Sequence, residues 1–184
     1  DARLNFAENL LQRRDQGVAL IGLLEDGSRR EISFADLHLQ VAKLAAALRQ
    51  QGVGVGDRVA GLMPNIPETV IAMLATASLG AIWTSCSPDF GFQGVMDRFG
   101  QAAPKVLFVT DGYLYNQKQH QVLPRVESLI ESLPSLEQVV VVPLLEPQPP
   151  LASLPRTALF ADFLGRHSDT TTLEFEQLPF DHPL

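Results

Sequence analysis

The sequence predicts an α/β protein: a mostly parallel sheet with helices on both faces, preceded by a hairpin. Three observations predict it. First, Gly56 to Gly91 reads as strand, turn, helix, strand and polar loop. Asp57 to Met63 carries Val59, Ala60, Leu62 and Met63 between Gly56 and Pro64-Asn65, the pattern of a short buried strand. Second, Val70 to Leu79 is apolar almost all round, so that helix is covered on more than one side. Third, Val106–Val109 and the β-branched run Val139–Val142 follow at intervals filled by helix-like periodicity, which suits further parallel strands.

The elements follow in order. Leu4 to Arg13 has Leu4, Phe6, Ala7, Leu10 and Leu11 at helical spacing and reads as a short amphipathic helix. Val18 to Leu24 and Arg29 to Phe34 are strands joined by the turn Asp26-Gly27. Ser33 can cap the next helix, with Asp36 three residues on as its partner. Phe34, Leu37, Val41, Leu44 and Leu48 keep an amphipathic spacing until Gly52 stops it. Gly52 to Arg58 is glycine-rich, but its glycines follow a helix and precede a strand. That is the reverse of a dinucleotide-binding loop, so the segment is a connector.

Pro67 sits where a first helical residue would, Glu68 suits the positive end of that helix, and Gly80 lies just past its end. Ala81, Ile82 and Trp83 begin the next strand, completing a β-α-β unit with a right-handed crossover. Phe92 to Gly100 reads as a helix with Val95 and Phe99 one turn apart. After the strand at Val106–Val109, Asp111-Gly112 turns into a polar loop, Tyr113 to His120. Val122 to Leu133 is a helix with Val126, Leu129, Ile130 and Leu133 inward. Pro143, Pro147, Pro149, Pro150 and Pro155 mark a surface loop. Ala158 to Leu164 reads as a short helix stopped by Gly165. From Ser168 to Leu184 there is no clear periodicity and no obvious element to pair with.

Composition narrows the function. The 184 residues suffice for one core, and 46% of them are hydrophobic. A net charge of −7 argues against nucleic acid or an anionic membrane as the main partner. No apolar run approaches a membrane span, and the polar N-terminus carries no secretory pattern. The one cysteine, Cys86, leaves no internal disulfide and fits a reducing cytoplasm.

No G-x-x-x-x-G-K-[ST], G-x-S-x-G, H-E-x-x-H or C-x-x-C occurs, and Thr170-Thr171-Thr172 lacks the glycines of a phosphate loop. Asp57-Arg58, at a strand entrance, reads as a structural pair rather than a catalytic one. Cys86 has no histidine nearby in sequence and reads as a small, partly buried side chain rather than a nucleophile. Trp83 reads as core. Two readings stay open for Ser87, Pro88, Asp89, Phe90 and Gly91: a proline turn, or a ligand loop at the carboxyl end of a parallel strand. Lys118, taken alone, reads as a solvated lysine.

The same residues carry a resemblance. GDRVA, then Pro64-Asn65 and Pro67-Glu68, then an apolar helix ending in Gly80-Ala81, resembles the N-terminal domain of AMP-forming acyl-CoA synthetases, the adenylate-forming ligases. The run Trp83 to Gly91, WTSCSPDFG, is similar to the acetoacetyl-CoA synthetase branch. Leu4–Asn9, Asp97–Gln101, Pro104–Leu107 and Asp181–Leu184 agree with it. The resemblance covers nearly the whole chain and the first third or so of such an enzyme. It implies that 1–184 is the N-terminal α/β segment of the large ligase domain, with 142–184 an irregular, proline-rich tail leading to a phosphate loop farther on.

The resemblance further implies a ligase that joins acetoacetate to CoA through an acyl-adenylate, using ATP, CoA and Mg2+. Catalytic and metal-binding groups lie outside this stretch, so the chain alone is expected to be inactive. Ser87, Pro88, Asp89, Phe90, Gly91 and Lys118 become candidates for contacting CoA. The family pattern Tyr-x-Tyr-Asn-Gly-Lys falls on Tyr113 to Lys118, with Gln117 in place of its glycine. A synthetase for another short acyl chain, such as acetyl or propionyl, and a non-catalytic α/β binding or assembly module are the alternatives. A sheet edge left uncovered would make the isolated segment self-associate.

Overall fold

The computed structural model describes residues 2–165, 167 and 169–184. Ser168, where the aperiodic tail was expected to begin, lies outside the described residues. The chain opens with β1 (Arg3–Leu4) and α1 (Phe6–Leu10). The amphipathic helix expected over Leu4–Arg13 is therefore shorter, because Asn5 caps it. The Asn5 Oδ1 accepts from the amides of Ala7 and Glu8, at 2.9 and 3.3 Å, while its Nδ2 donates to the carbonyls of Ala77 and Glu176. One buried amide thus ties three distant segments together, satisfying groups that burial would otherwise penalise.

The hairpin β2 (Val18–Leu23) and β3 (Arg29–Ser33) leads into α2 (Phe34–Gln50). The Ser33 hydroxyl accepts from the Asp36 amide at 3.0 Å and donates to the Asp36 carboxylate at 2.6 Å, so the expected cap forms. Then come β4 (Arg58–Leu62), α3 (Pro67–Ser78), β5 (Ile82–Cys86), α4 (Phe92–Ala102) and β6 (Val106–Thr110). Glu68, in the first turn of α3, is buried and paired with Arg30 at 2.6 Å. Gly80 follows α3 at φ +68°, as a helix stop requires.

Tyr113 to His120, expected as a polar loop, is instead a second hairpin, β7 (Gly112–Tyr115) and β8 (Lys118–Gln121). After α5 (Leu123–Ser132) and β9 (Gln138–Val142), the stretch read as a helix from Ala158 divides. It gives a parallel edge strand, β10 (Thr157–Leu159), and a helix, α6 (Phe160–Gly165). The last strand is β11 (Leu178–Pro179), antiparallel to β1.

The main sheet has five parallel strands in the order β10-β9-β6-β4-β5. Because side chains alternate along a strand, Val59, Val106, Phe108, Val140 and Val142 join the core under α1, α2, α3 and α6. Ala60, Leu62, Leu107, Val109, Val139 and Val141 join the other core, under α4 and α5. The predicted α/β class, a parallel sheet covered on both faces behind a hairpin, is the observed one. Trp83 packs on Phe108, with ring centroids 6.3 Å apart, and lies across Gly61, where a Cβ would come within 2.7 Å of the indole.

The tail expected to be irregular over 142–184 is thus partly structured. Leu173 and Phe175 pack against the first core, the Glu176 amide donates to the Ser78 carbonyl at 2.9 Å, and His182 Nε2 lies 2.9 Å from the Gly80 carbonyl oxygen. The tail straps the carboxyl end of α3. No described helix is long and apolar enough to cross a membrane.

Candidate functional site

In a parallel sheet every strand ends on the same side. The helix after β4 (α3) packs on one face and the helix after β6 (α5) on the other. The β4–β6 boundary is therefore a switch point, where such sheets place ligands. A cavity of about 80 Å3 lies there, lined by Pro64, Tyr113, Leu114, Leu144 and the β2–β3 turn residues Glu25 and Asp26. The candidate residues leave the same end of the sheet without lining this cavity.

Ser87 to Gly91 leaves the end of β5. The Phe90 amide donates to the Ser87 carbonyl at 3.2 Å, closing a turn. Pro88 is buried, Phe90 is half-buried, and Ser87, Asp89 and Gly91 are exposed. Arg125, from the first turn of α5, holds the loop from below. Its Nη1 donates to the Phe90 carbonyl at 2.8 Å and its Nη2 to the Pro88 carbonyl at 2.7 Å. The Arg98 guanidinium sits 4.4 Å from the centre of the Phe90 ring, a cation–π contact. Gly91 then serves as the N-cap position of α4.

The β7–β8 hairpin leaves the end of β6. Its turn residues Asn116 and Gln117 both have positive φ, 51° and 60°, as a two-residue hairpin turn demands. Their amides donate to the Glu25 carboxylate, at 3.0 and 3.2 Å, so the two hairpins lean together. Tyr113 stacks on His120 with centroids 5.0 Å apart. Lys118 faces Tyr115 across the ladder; it is exposed and has no ion-pair partner among the described residues.

The fold thus puts the loop and Lys118 on one side of the sheet, but on strands separated by β4, about 10 Å between strand axes at the usual spacing. They stand as two separate rims at the carboxyl end of the sheet. The Cys86 thiol at the end of β5 is buried, and burial pushes it up to about 11. Among the described residues no group of three or more His, Cys, Asp or Glu is placed to hold a metal.

Three supporting residues escaped the sequence reading. Arg125 and Glu25 act on main-chain atoms far away in sequence, and no periodicity signals that. Asp111 is buried after β6; its carboxylate accepts from the amides of Gly112, Leu144 and Glu146, at 3.0, 2.6 and 2.8 Å. Asp111-Gly112 is legible as a turn, but its grip on the loop after β9 is not. Asp57-Arg58 proves structural: Asp57 accepts from the Gly54 amide, and Arg58 donates to the carbonyls of Ala102 and Ala103 at the end of α4.

Comparison with known proteins shows which family has this sequence and fold. The chain is 50% identical to the acetoacetyl-coenzyme A synthetase of Rhizobium meliloti (strain 1021), over 100% of this chain and 28% of that protein. It is 43% identical to the acetoacetyl-CoA synthetase of Gallus gallus, with the same two shares. A malonamoyl-CoA synthetase of Penicillium aethiopicum is 41% identical, over 100% of this chain and 27% of that one. The structure of acetoacetyl-CoA synthetase from Streptomyces lividans superposes with a TM-score of 0.89 at 42% identity, covering 98% of this chain and 27% of that chain. The chain therefore spans little more than a quarter of the length of these relatives. Residues 6–171 match the AMP-binding enzyme family, and with that span matched and relatives aligned along its whole length the chain belongs to that family.

Proposed function

We propose that the protein is the N-terminal part of an acid–CoA ligase that joins acetoacetate to CoA at the expense of ATP. The observation that supports this best is the similarity to acetoacetyl-CoA synthetases over the whole chain, at 50% and 43% identity. In the proposed reaction the carboxylate attacks the α-phosphorus of ATP, giving acyl-adenylate and pyrophosphate. The CoA thiol then attacks the acyl carbon and AMP leaves. Bound with ATP, Mg2+ would supply neutralisation of phosphate charge.

This chain's share is the second substrate. Lys118 offers an ammonium with no ion-pair partner among the described residues, and Ser87, Pro88, Asp89, Phe90 and Gly91 offer a fixed loop, on two rims that a nucleotide could bridge. The reading places the enzyme in the cytoplasm, with small-molecule substrates as its partners. The malonamoyl-CoA synthetase relative supports a second reading, a ligase for a different short acyl chain.

The test uses the full-length parent and its two half-reactions. A charge-assisted contact is worth about 1.5–3 kcal/mol, and exposure leaves roughly half of it. Lys118→Ala should raise the KM for CoA roughly three- to tenfold and leave acetoacetate-dependent pyrophosphate exchange unchanged. An unchanged KM returns Lys118 to the solvated surface. The purified 184-residue chain, which has no phosphate-loop motif, should show exchange at background. A parent without exchange on any short carboxylic acid favours the non-catalytic module.

A further inference from the structure

We propose that Arg125 is the positioning residue of the Ser87–Gly91 loop and joins the two rims into one unit; its functional part rests on the CoA reading above. The loop and the Lys118 hairpin leave strands that β4 separates. The hairpin is braced by Glu25 and the loop by Arg125. Yet Lys118 begins β8, β8 ends at Gln121, and α5 starts at Leu123 with Arg125 in its first turn. The chain from Lys118 to Arg125 therefore spans the gap, and the guanidinium completes the link.

The chemistry of the link is specific. A guanidinium is a planar fork with fixed N–H directions, and here two of its nitrogens meet two carbonyls of one turn, at 2.8 and 2.7 Å. Arg125 is half-buried and has no carboxylate partner among the described residues, so these carbonyls are its described hydrogen-bond partners. Both carbonyl oxygens, the negative ends of their peptide groups, are turned onto a cation. A phosphate meeting the loop faces less carbonyl repulsion and gains the arginine's field through it. Arg98 on the Phe90 ring fixes the remaining side of the turn. A lysine at 125 keeps the charge but cannot hold two carbonyls in one plane.

Arg125→Lys and Arg125→Gln in the full-length parent test this, with three readouts. Hydrogen–deuterium exchange over residues 84–92 should speed up about tenfold in the glutamine variant, while β6 and β9 stay protected. The KM for CoA should rise about tenfold for glutamine and less for lysine, and pyrophosphate exchange should stay within about twofold of wild type. Unchanged protection over 84–92 overturns the positioning role, whatever the kinetics do. A loosened loop with an unchanged KM overturns its functional part. If Lys118→Ala raises the KM for CoA and Arg125→Gln does not, the CoA reading survives and this inference fails. If neither raises it, the CoA reading fails, and protection alone still decides whether Arg125 holds the loop. Should the glutamine variant not fold, Arg125→Lys, which retains the stem and charge, carries the same comparison.

Discussion

Gly80 shows how one residue can be legible from sequence and still do more than sequence tells. Its place just past an apolar helix predicts a left-handed stop, and φ is +68°. Its surroundings add a second constraint, because a Cβ there would come 3.1 Å from both Leu178 and Val55. Gly80→Val should therefore cost about 1–2 kcal/mol from the backbone alone, with crowding added. Thermal melts compare the two proteins, and an equal midpoint would refute it. His38, on α2, was invisible by contrast: a histidine at the border of the apolar stripe is no core signal, yet it is buried and its Nε2 has no hydrogen-bond partner among the described residues. Burial, with Arg14 nearby, holds its pKa below the ordinary 6.5. The unfolded chain then binds the extra proton first, so stability is complete above about pH 6.5 and falls as the pH drops from there through the folded value. His38→Leu should flatten that fall in urea melts between pH 7 and 5. A slope identical to wild type would assign the acid sensitivity to other groups.

At the scale of elements, strands and helices that bury themselves on neighbours close in sequence were readable. The five-residue strands β6 and β9 are buried throughout and read as apolar runs, and α2 shows its face in its spacing. Elements that exist because of a distant partner were not readable. β11 is two residues long and is held by β1 at the other end of the chain, β10 by β9, and the β7–β8 turn by Glu25. The hairpin was masked by composition: Tyr113 to His120 is polar, and Asn116-Gln117 lacks the glycine that marks a two-residue turn. Gln117 nonetheless adopts φ +60°. An L-residue there costs about 1–2 kcal/mol, and glycine returns part of the gain by loosening the unfolded chain. Gln117→Gly should stabilise the fold by about 0.5–1 kcal/mol and slow deuteration of Asn116. A lower melting midpoint would show that the glutamine side chain contributes something that its backbone strain conceals.

At the scale of the molecule, the sheet's class was legible and its boundary was not. Two cores on opposite faces follow from strands that are apolar on both sides, but the order β10-β9-β6-β4-β5 emerges only from pairing. That order leaves β5 at one end, its outer side unpaired among the described residues. A second uncovered region lies around a cavity of about 280 Å3 at the β1–β11 pair, where Leu4, Phe6, Phe180 and Leu184 line the opening and Phe180 is 87% exposed. Both invite contact with a second copy when the 184-residue chain is handled alone. Magnitudes rank them. A neutral strand-edge hydrogen bond nets about 0.5–1.5 kcal/mol, since water already satisfies the free edge, and forming several requires precise alignment. Burying a phenylalanine side chain yields about 1.5–3 kcal/mol with no such demand, and the other apolar side chains add to it. We therefore predict that the purified chain self-associates with rising concentration, mainly through the Phe180 region. Sedimentation across a concentration series should show Phe180→Asp restoring the monomer and Ser85→Lys, a charge on the β5 edge, only weakening association. The reverse ranking would make the strand edge dominant, and a wild-type monomer at every concentration would mean that neither surface is sticky enough to matter.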